Sequence, residues 1–361
     1  MTDFSELTTL QVGGPITRLI EPTTTEQLVD AVLAAWGEPE DWMILGGGSN
    51  LVVADEGFDG TVVRVATRGL DRATEGVPRL RVLAGEPWDD VVAFAVQQGL
   101  AGIEALSGIP GTAGAGPIQN IGAYGQQLSD VLLAIDFLDF ESGVVLQLSA
   151  ADLELGYRTS ALKQGRLGVV LALELALHDE GVLSAPIEYG QLAQALGVEI
   201  GARVPLADAR AAVLALRASK GMLWNPADAD SVSAGSFFTN PIVSENFARG
   251  LPAEAPKYAT EAEPPPQVLP LGAEVSAGPS SGEYLVKLSA AWLIEQAGIT
   301  RGFALPGSRA AISSKHTLAI TNRGGASAAE ITQLANYVQT RVLSEFGVML
   351  QPEPVLVGIQ I

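Results

Sequence analysis

Ser107-Gly-Ile-Pro-Gly-Thr-Ala-Gly-Ala-Gly-Pro-Ile-Gln-Asn-Ile-Gly-Ala-Tyr-Gly125 holds six glycines and no charged residue. Glycines at this density let the main chain adopt positive φ angles and approach a ligand closely, so that a row of backbone N–H groups can face a phosphate. Gln119 and Asn120 add amide donors and acceptors, and Tyr124 a flat ring at the edge. On glycine content alone, a tight crossover between domains is the alternative. A second glycine run, Gly46-Gly-Gly-Ser-Asn50, lies between two strand-like runs, Trp42-Met-Ile-Leu45 and Leu51-Val-Val53. A Rossmann fingerprint needs Gly-x-Gly-x-x-Gly opening a helix. Strand, glycine turn, strand is therefore a different phosphate loop and points to a different fold.

Composition narrows the rest. A chain of 361 residues predicts two or three domains, and 47% hydrophobic against 17% charged residues marks it as globular. The formal charge of −20 argues against nucleic acid or an acidic membrane surface as partner. An anionic ligand would then be held by local amide dipoles, which is where the uncharged loop matters. With no cysteine, disulfides and thiolate chemistry are excluded, and two histidines, His178 and His316, make a histidine metal site unexpected; no metal is predicted. The start Met-Thr-Asp-Phe-Ser-Glu has neither a basic nor an apolar signal region, and no apolar run is long enough for a bilayer, so a cytoplasmic protein is expected.

Along the chain, residues 14–21 look extended, and Thr23-Thr-Thr-Glu26 reads as a capping box opening a helix with Leu28, Ala31, Val32 and Ala35 on its apolar face and Gly37 at its end. Residues 61–66 and 79–84 alternate as strands. A helix starts at Pro87 with Asp89 and Asp90 in its first turn and runs to Gly99. Residues 135–140, a turn at 141–143 and residues 144–148 form a predicted hairpin. A buried strand is predicted over 169–177 and helices over 206–218 and 288–296. Ser327-Ala-Ala-Glu330 is a second capping box, before a helix that stops at Gly347. Strands around 348–350 and over 355–361 close the chain. Between 251 and 282, Pro, Ala, Glu, Gly and Ser predominate, which predicts a solvated insertion.

Gly46-Gly-Gly-Ser-Asn50, Ile109-Pro-Gly111, Pro117-Ile-Gln-Asn-Ile-Gly-Ala-Tyr-Gly125, Gly156-Tyr-Arg-Thr-Ser160 and Gly235-Ser-Phe-Phe-Thr-Asn-Pro241 together resemble, in order and over nearly the whole chain, the UDP-N-acetylenolpyruvoylglucosamine reductases. That resemblance implies an α+β fold: a vanillyl-alcohol-oxidase type FAD-binding domain of two lobes, residues 1–66 and 67–224, then an α+β substrate-binding domain over 225–361. A substrate-closing segment is expected near 180–220, with C-terminal strands returning Glu353 to the site.

The same resemblance implies noncovalent FAD, NADPH as reductant, and UDP-N-acetylglucosamine enolpyruvate as substrate, bound by a monomer. FAD would be held by Gly46, Gly47, Gly48, Ser49 and Asn50, with Ile109, Pro110, Gly111, Gly114, Ala115, Ile118, Gln119, Asn120, Gly122, Ala123 and Tyr124. Hydride would pass to C3 of the enolpyruvyl group and a proton from Ser236 to C2. Arg158 would clamp the substrate carboxylate, and Glu353 would polarise the intermediate or share a proton with it. Tyr189, Lys220, Asn240 and His316 are the implied substrate contacts. The bland alternatives are a turn serine, a surface ion pair, a solvated glutamate or lysine, and a structural histidine.

Two other functions stay open at this stage. Another flavin oxidase or dehydrogenase of the same fold often tethers its flavin through His or Cys, and this chain has no cysteine and no histidine before His178. A non-catalytic FAD or UDP-sugar binding protein is expected to lack Arg158, Ser236 or Glu353, all of which are present.

Overall fold

Three parallel strands form the first lobe, with Phe58–Arg64 between Ile16–Ile20 and Asp41–Leu45. This is a computed structural model describing residues 2–73, 78–179, 181–260 and 285–361. Helix Thr25–Gly37 links two of the strands and buries Leu28, Val32 and Ala35. Its cap falls at Thr24, whose hydroxyl accepts the Gln27 N–H at 3.2 Å, while the Gln27 side chain reaches back to the Thr23 N–H. The expected Thr23/Glu26 box does not form: three threonines in a row offer several frames, the cap falls at Thr24, and Gln27 returns its bond to the residue before the cap.

Leu51–Val53 does not return along Asp41–Leu45. It pairs in parallel with Val355–Val357 in a separate ladder. Gly46 to Asn50 is accordingly a junction at which the chain passes from the lobe's sheet to a ladder shared with the C-terminus.

The second lobe is a five-stranded antiparallel sheet in the order Val145–Ser149, Leu132–Asp139, Gly168–Ala176, Arg79–Leu83, Leu70–Ala73. The predicted hairpin and the predicted buried strand are its first three members. Helix Trp88–Gln97 covers it, burying Trp88, Val91, Val92 and Ala95, with Asp89 in the first turn as the helix dipole favours. The lobes share a core: Leu28, Val32 and Val63 pack with Leu80, Val82 and Leu173.

Helix Leu206–Ser219 lies as expected, joined by a short helix, Gly190–Leu196, that the sequence reading omits. Beyond it, Leu285–Leu288 pairs with Ile242–Ser244 and Lys257–Thr260. The insertion expected over 251–282 lies outside the described residues from 261 onward. Leu288 ends a strand instead of starting a helix, because Ser289 caps Ala290–Gln296 by accepting the Trp292 N–H. Helix Ala328–Phe346 has the predicted Ser327/Glu330 box and ends at Gly347 with φ +68°. Residues 348–350 are not a strand; Val348 and Leu350 simply fill the core, and strand pairing is confined to Val355–Val357.

This C-terminal part is locked to the first lobe. Asp55 accepts the Ala328 and Ala329 N–H groups at 2.7 and 3.0 Å, so a residue of one unit serves the helix N-terminus of the other. Asn322 Nδ2 donates to the Leu10 and Gln11 carbonyls.

Candidate active site

The two glycine stretches meet face to face. A Cβ on Gly47 would lie 2.7 Å from Gly111 Cα, and one on Gly46 2.8 Å from Thr112 Oγ1, so side chains are sterically barred from this seam. Gly48 at φ +61° and Gly111 at φ +108° also occupy backbone regions that favour glycine. Loop packing, as well as ligand approach, accounts for the glycine density. The N–H groups of Gly46 to Asn50 find no acceptor among the described residues. Consecutive N–H groups of this kind form an anion-binding concavity.

These loops wall a cleft of about 1500 Å³, counted out to its open mouth. Of the expected cofactor residues, Gly46 to Asn50, Ile109, Pro110, Ala115, Ile118, Gln119 and Gly122 line it. Gly114 lines an adjoining cavity between the lobes. The other four sit apart from the wall of this cleft. Gly111 belongs to the glycine seam. Asn120 is buried and organises its surroundings: its Nδ2 donates to Ser129 Oγ and the Gly156 carbonyl, and its Oδ1 accepts the Ser129 N–H. Ala123 and Tyr124 belong to a small hairpin, Gly122–Ala123 with Gln126–Gln127, whose turn residues Tyr124 and Gly125 both have positive φ.

Arg158, Ser236 and Glu353, all named from sequence, come from distant segments into the cleft. Arg158 Nε lies 3.3 Å from Glu353 Oε1, and its Nη2 donates to the Gly122 carbonyl at 2.9 Å. Burial pushes the Glu353 carboxyl above its ordinary range, opposed by the Arg158 and Lys163 charges. Ser236 faces the same cleft. Its position is fixed by its neighbours: Phe237 and Phe238 are buried in edge-to-face contact at 5.2 Å, and the Glu353 N–H donates to the Phe237 carbonyl at 2.9 Å. That backbone bond ties the segment carrying Ser236 to the one carrying Glu353. Asn50 completes the link, donating to Gln119 Oε1 and to the Glu353 carbonyl.

Sequence reasoning expected backbone amides of an uncharged loop to hold the anion and gave Arg217 no role. This arginine is 7% exposed and lines the cleft, donating from Nε to the Gly108 carbonyl and from Nη2 to the Met222 carbonyl, both at 3.0 Å. Burial lowers its pKa, opposed by Tyr124 and Asp89, and no carboxylate among the described residues is in ion-pair contact with it. The available signal was its spacing, one turn after Val213 on the buried stripe of the 206–219 helix.

None of the expected substrate contacts Tyr189, Lys220, Asn240 and His316 lines the cleft itself. Tyr189 meets Tyr124 edge to face at 5.6 Å, and Lys220 Nζ lies 5.3 Å from the Tyr124 ring centroid while donating to Gln191 Oε1 at 2.8 Å. Burial, then the Arg217 charge, lowers the Lys220 pKa. His316 is pushed down to about 4 by burial and by the Lys220 and Arg301 charges, so it is neutral at pH 7. Asn240 is engaged elsewhere, its Oδ1 accepting the Ala290 N–H at 2.9 Å. No helix is long and apolar enough to cross a membrane, and no group of three metal-ligating side chains occurs among the described residues.

Free backbone donors beside an apolar, cation-bearing cleft between two lobes suit a dinucleotide with a flat ring system, and the fold and site together define a flavin-dependent oxidoreductase with a two-lobed FAD-binding domain. Residues 16–149 match the FAD binding domain family, and residues 225–357 the C-terminal domain of UDP-N-acetylenolpyruvoylglucosamine reductase. The reductase of that name from Leifsonia xyli subsp. xyli is 57% identical, covering 99% of this chain and 100% of that protein. That of Streptomyces coelicolor is 47% identical over 99% of this chain and 89% of its own. The crystal structure of the enzyme from Thermus caldophilus superposes with a TM-score of 0.62 at 25% identity, covering 99% of this chain and 97% of that one. The chain belongs to the UDP-N-acetylenolpyruvoylglucosamine reductase family.

Proposed function

We propose that the protein reduces UDP-N-acetylglucosamine enolpyruvate to UDP-N-acetylmuramate for peptidoglycan synthesis, with noncovalent FAD and NADPH. The observation that carries this is the meeting of Arg158, Ser236 and Glu353, from three distant segments, in one cleft walled by the glycine loops. The glycine loops would hold FAD, which when bound would supply a hydride for C3 of the enolpyruvyl group.

The chain's own residues manage charge and proton. Arg158 takes the substrate carboxylate, beside which negative charge grows as the hydride adds. Ser236 gives its hydroxyl proton to C2, and solvent replaces it. As Arg158 turns to the substrate, Glu353 loses part of the cationic field that opposes its burial. Its proton affinity rises, which suits it to hydrogen-bond to the intermediate as a neutral acid. Arg217 supplies a fixed positive charge to the flavin region. Lys220 and Tyr189 close over the substrate's diphosphate side, His316 offers a neutral imidazole nearby, and the Asn240 Nδ2 group, its Oδ1 being taken by the Ala290 N–H, is the remaining polar contact. The short helix Gly190–Leu196 and the preceding loop form the moving part. Action as a monomer in the cytoplasm completes the reading.

Anaerobic spectroscopy tests it. The purified protein should show an oxidised flavin spectrum that NADPH bleaches and the enolpyruvyl substrate restores. Bleaching without restoration would favour a flavin oxidase or dehydrogenase acting on another substrate.

A further inference from the structure

Arg158 stands on a strained turn that a neighbouring lysine pins. Gly156 and Thr159 exchange backbone hydrogen bonds at 3.1 and 3.4 Å, so Tyr157 and Arg158 are the two central residues of a tight hairpin. Arg158 has φ +55°, a left-handed conformation unfavourable for any residue with a Cβ. Such conformations persist where surrounding contacts hold them. Lys163 Nζ donates to the Arg158 carbonyl at 3.1 Å. The lysine's own base is fixed in turn: its N–H donates to Ser160 Oγ, and that hydroxyl donates to the Ile118 carbonyl of the central glycine stretch.

We propose that Lys163 is a positioning residue for the reductive step: its ammonium holds the left-handed turn that aims the Arg158 guanidinium at Glu353 and at the substrate carboxylate. Lys163 also lines the cleft. With Arg158 it makes up the charged groups that act on the Glu353 carboxyl among the described residues, both opposing the effect of burial. A lysine that merely decorated the surface would affect neither the turn nor the glutamate. The inference rests on the function proposed above, because it is the substrate carboxylate that Arg158 is being aimed at.

Lys163→Met and Lys163→Arg in the flavin-loaded protein test it by two readouts. The first is stopped-flow reoxidation of NADPH-reduced enzyme by the enolpyruvyl substrate. Lys163→Met should slow it roughly tenfold to a hundredfold, as misplacement of a positioned group does, and slow reduction by NADPH less. The second is the pH midpoint of the infrared carboxyl band that Glu353→Gln removes. It should move up in Lys163→Met, as a cation facing the carboxylate is lost, and Lys163→Arg should restore both quantities toward wild type. An unchanged midpoint and reoxidation rate in Lys163→Met would overturn the inference alone. So would a rise confined to the substrate KM, the mark of a simple substrate contact. Failure of wild-type reduced enzyme to be reoxidised would instead remove the proposed reaction, and this inference with it.

Discussion

A hydroxyl is a poor acid in water, and Ser236 acquires a role only through what surrounds it. The backbone bond from Glu353 to Phe237 ties its segment to that of a carboxyl that burial pushes upward, and Arg158 brings a cation to the same cleft. Arg217 is the residue whose loss should be felt most widely. Arg217→Met leaves the Gly108 and Met222 carbonyls without their donor, so urea unfolding should show a loss of about 2 kcal/mol, with FAD released more readily in a fluorescence assay. His316 makes a signed pH prediction. Its folded pKa of about 4 lies below the ordinary 6.5, so between those values the unfolded chain binds the extra proton and stability falls as pH falls. His316→Gln should flatten the pH 7 to 5 part of the stability curve, measured by urea unfolding. Arg158, Ser236 and Glu353 could be named from sequence only through the resemblance, which their glycine- and proline-rich motifs carry; taken singly they read as a surface arginine, a turn serine and a loop glutamate. Arg217 and Lys163 were not, since an arginine at a helix end and a lysine in a loop look ordinary until distant segments close around them.

At the scale of elements, the glycine seam is the steric constraint that shapes the cleft wall. Gly47→Ala places a Cβ against Gly111 Cα, backbone that no side-chain rotation can relieve. It should cost about 1–3 kcal/mol and leave the purified protein short of flavin, read from its visible spectrum and thermal unfolding. Asp55 ties the first lobe to the 328–346 helix through two N–H groups. Asp55→Ala should lower stability by about 1 kcal/mol, the worth of a helix-end acceptor, without moving the reoxidation rate more than twofold. Strongly periodic elements were readable: the 88–97, 206–219 and 328–346 helices follow their apolar stripes and caps. Two-sided information was not. That Leu51–Val53 pairs with Val355–Val357 depends on a partner some 300 residues away, and Val348 and Leu350 satisfy a strand pattern while only filling a core.

The whole molecule carries a charge of −20 yet gathers Arg158, Lys163 and Arg217 into one cleft in which Glu353 is the single lining carboxylate among the described residues. The field is thus locally inverted where an anionic cofactor and substrate would sit, an arrangement invisible in the net charge. Reading composition alone led to an uncharged cradle; packing of three separate segments produced a cationic one. The account turns on Ser236 delivering the proton in that cleft, and single-turnover kinetics of Ser236→Ala address it most directly. Reduction by NADPH should proceed near the wild-type rate, while reoxidation by UDP-N-acetylglucosamine enolpyruvate should slow roughly 10²–10⁴-fold, the usual loss on removing a positioned proton donor. Reoxidation at the wild-type rate in that variant would contradict the account.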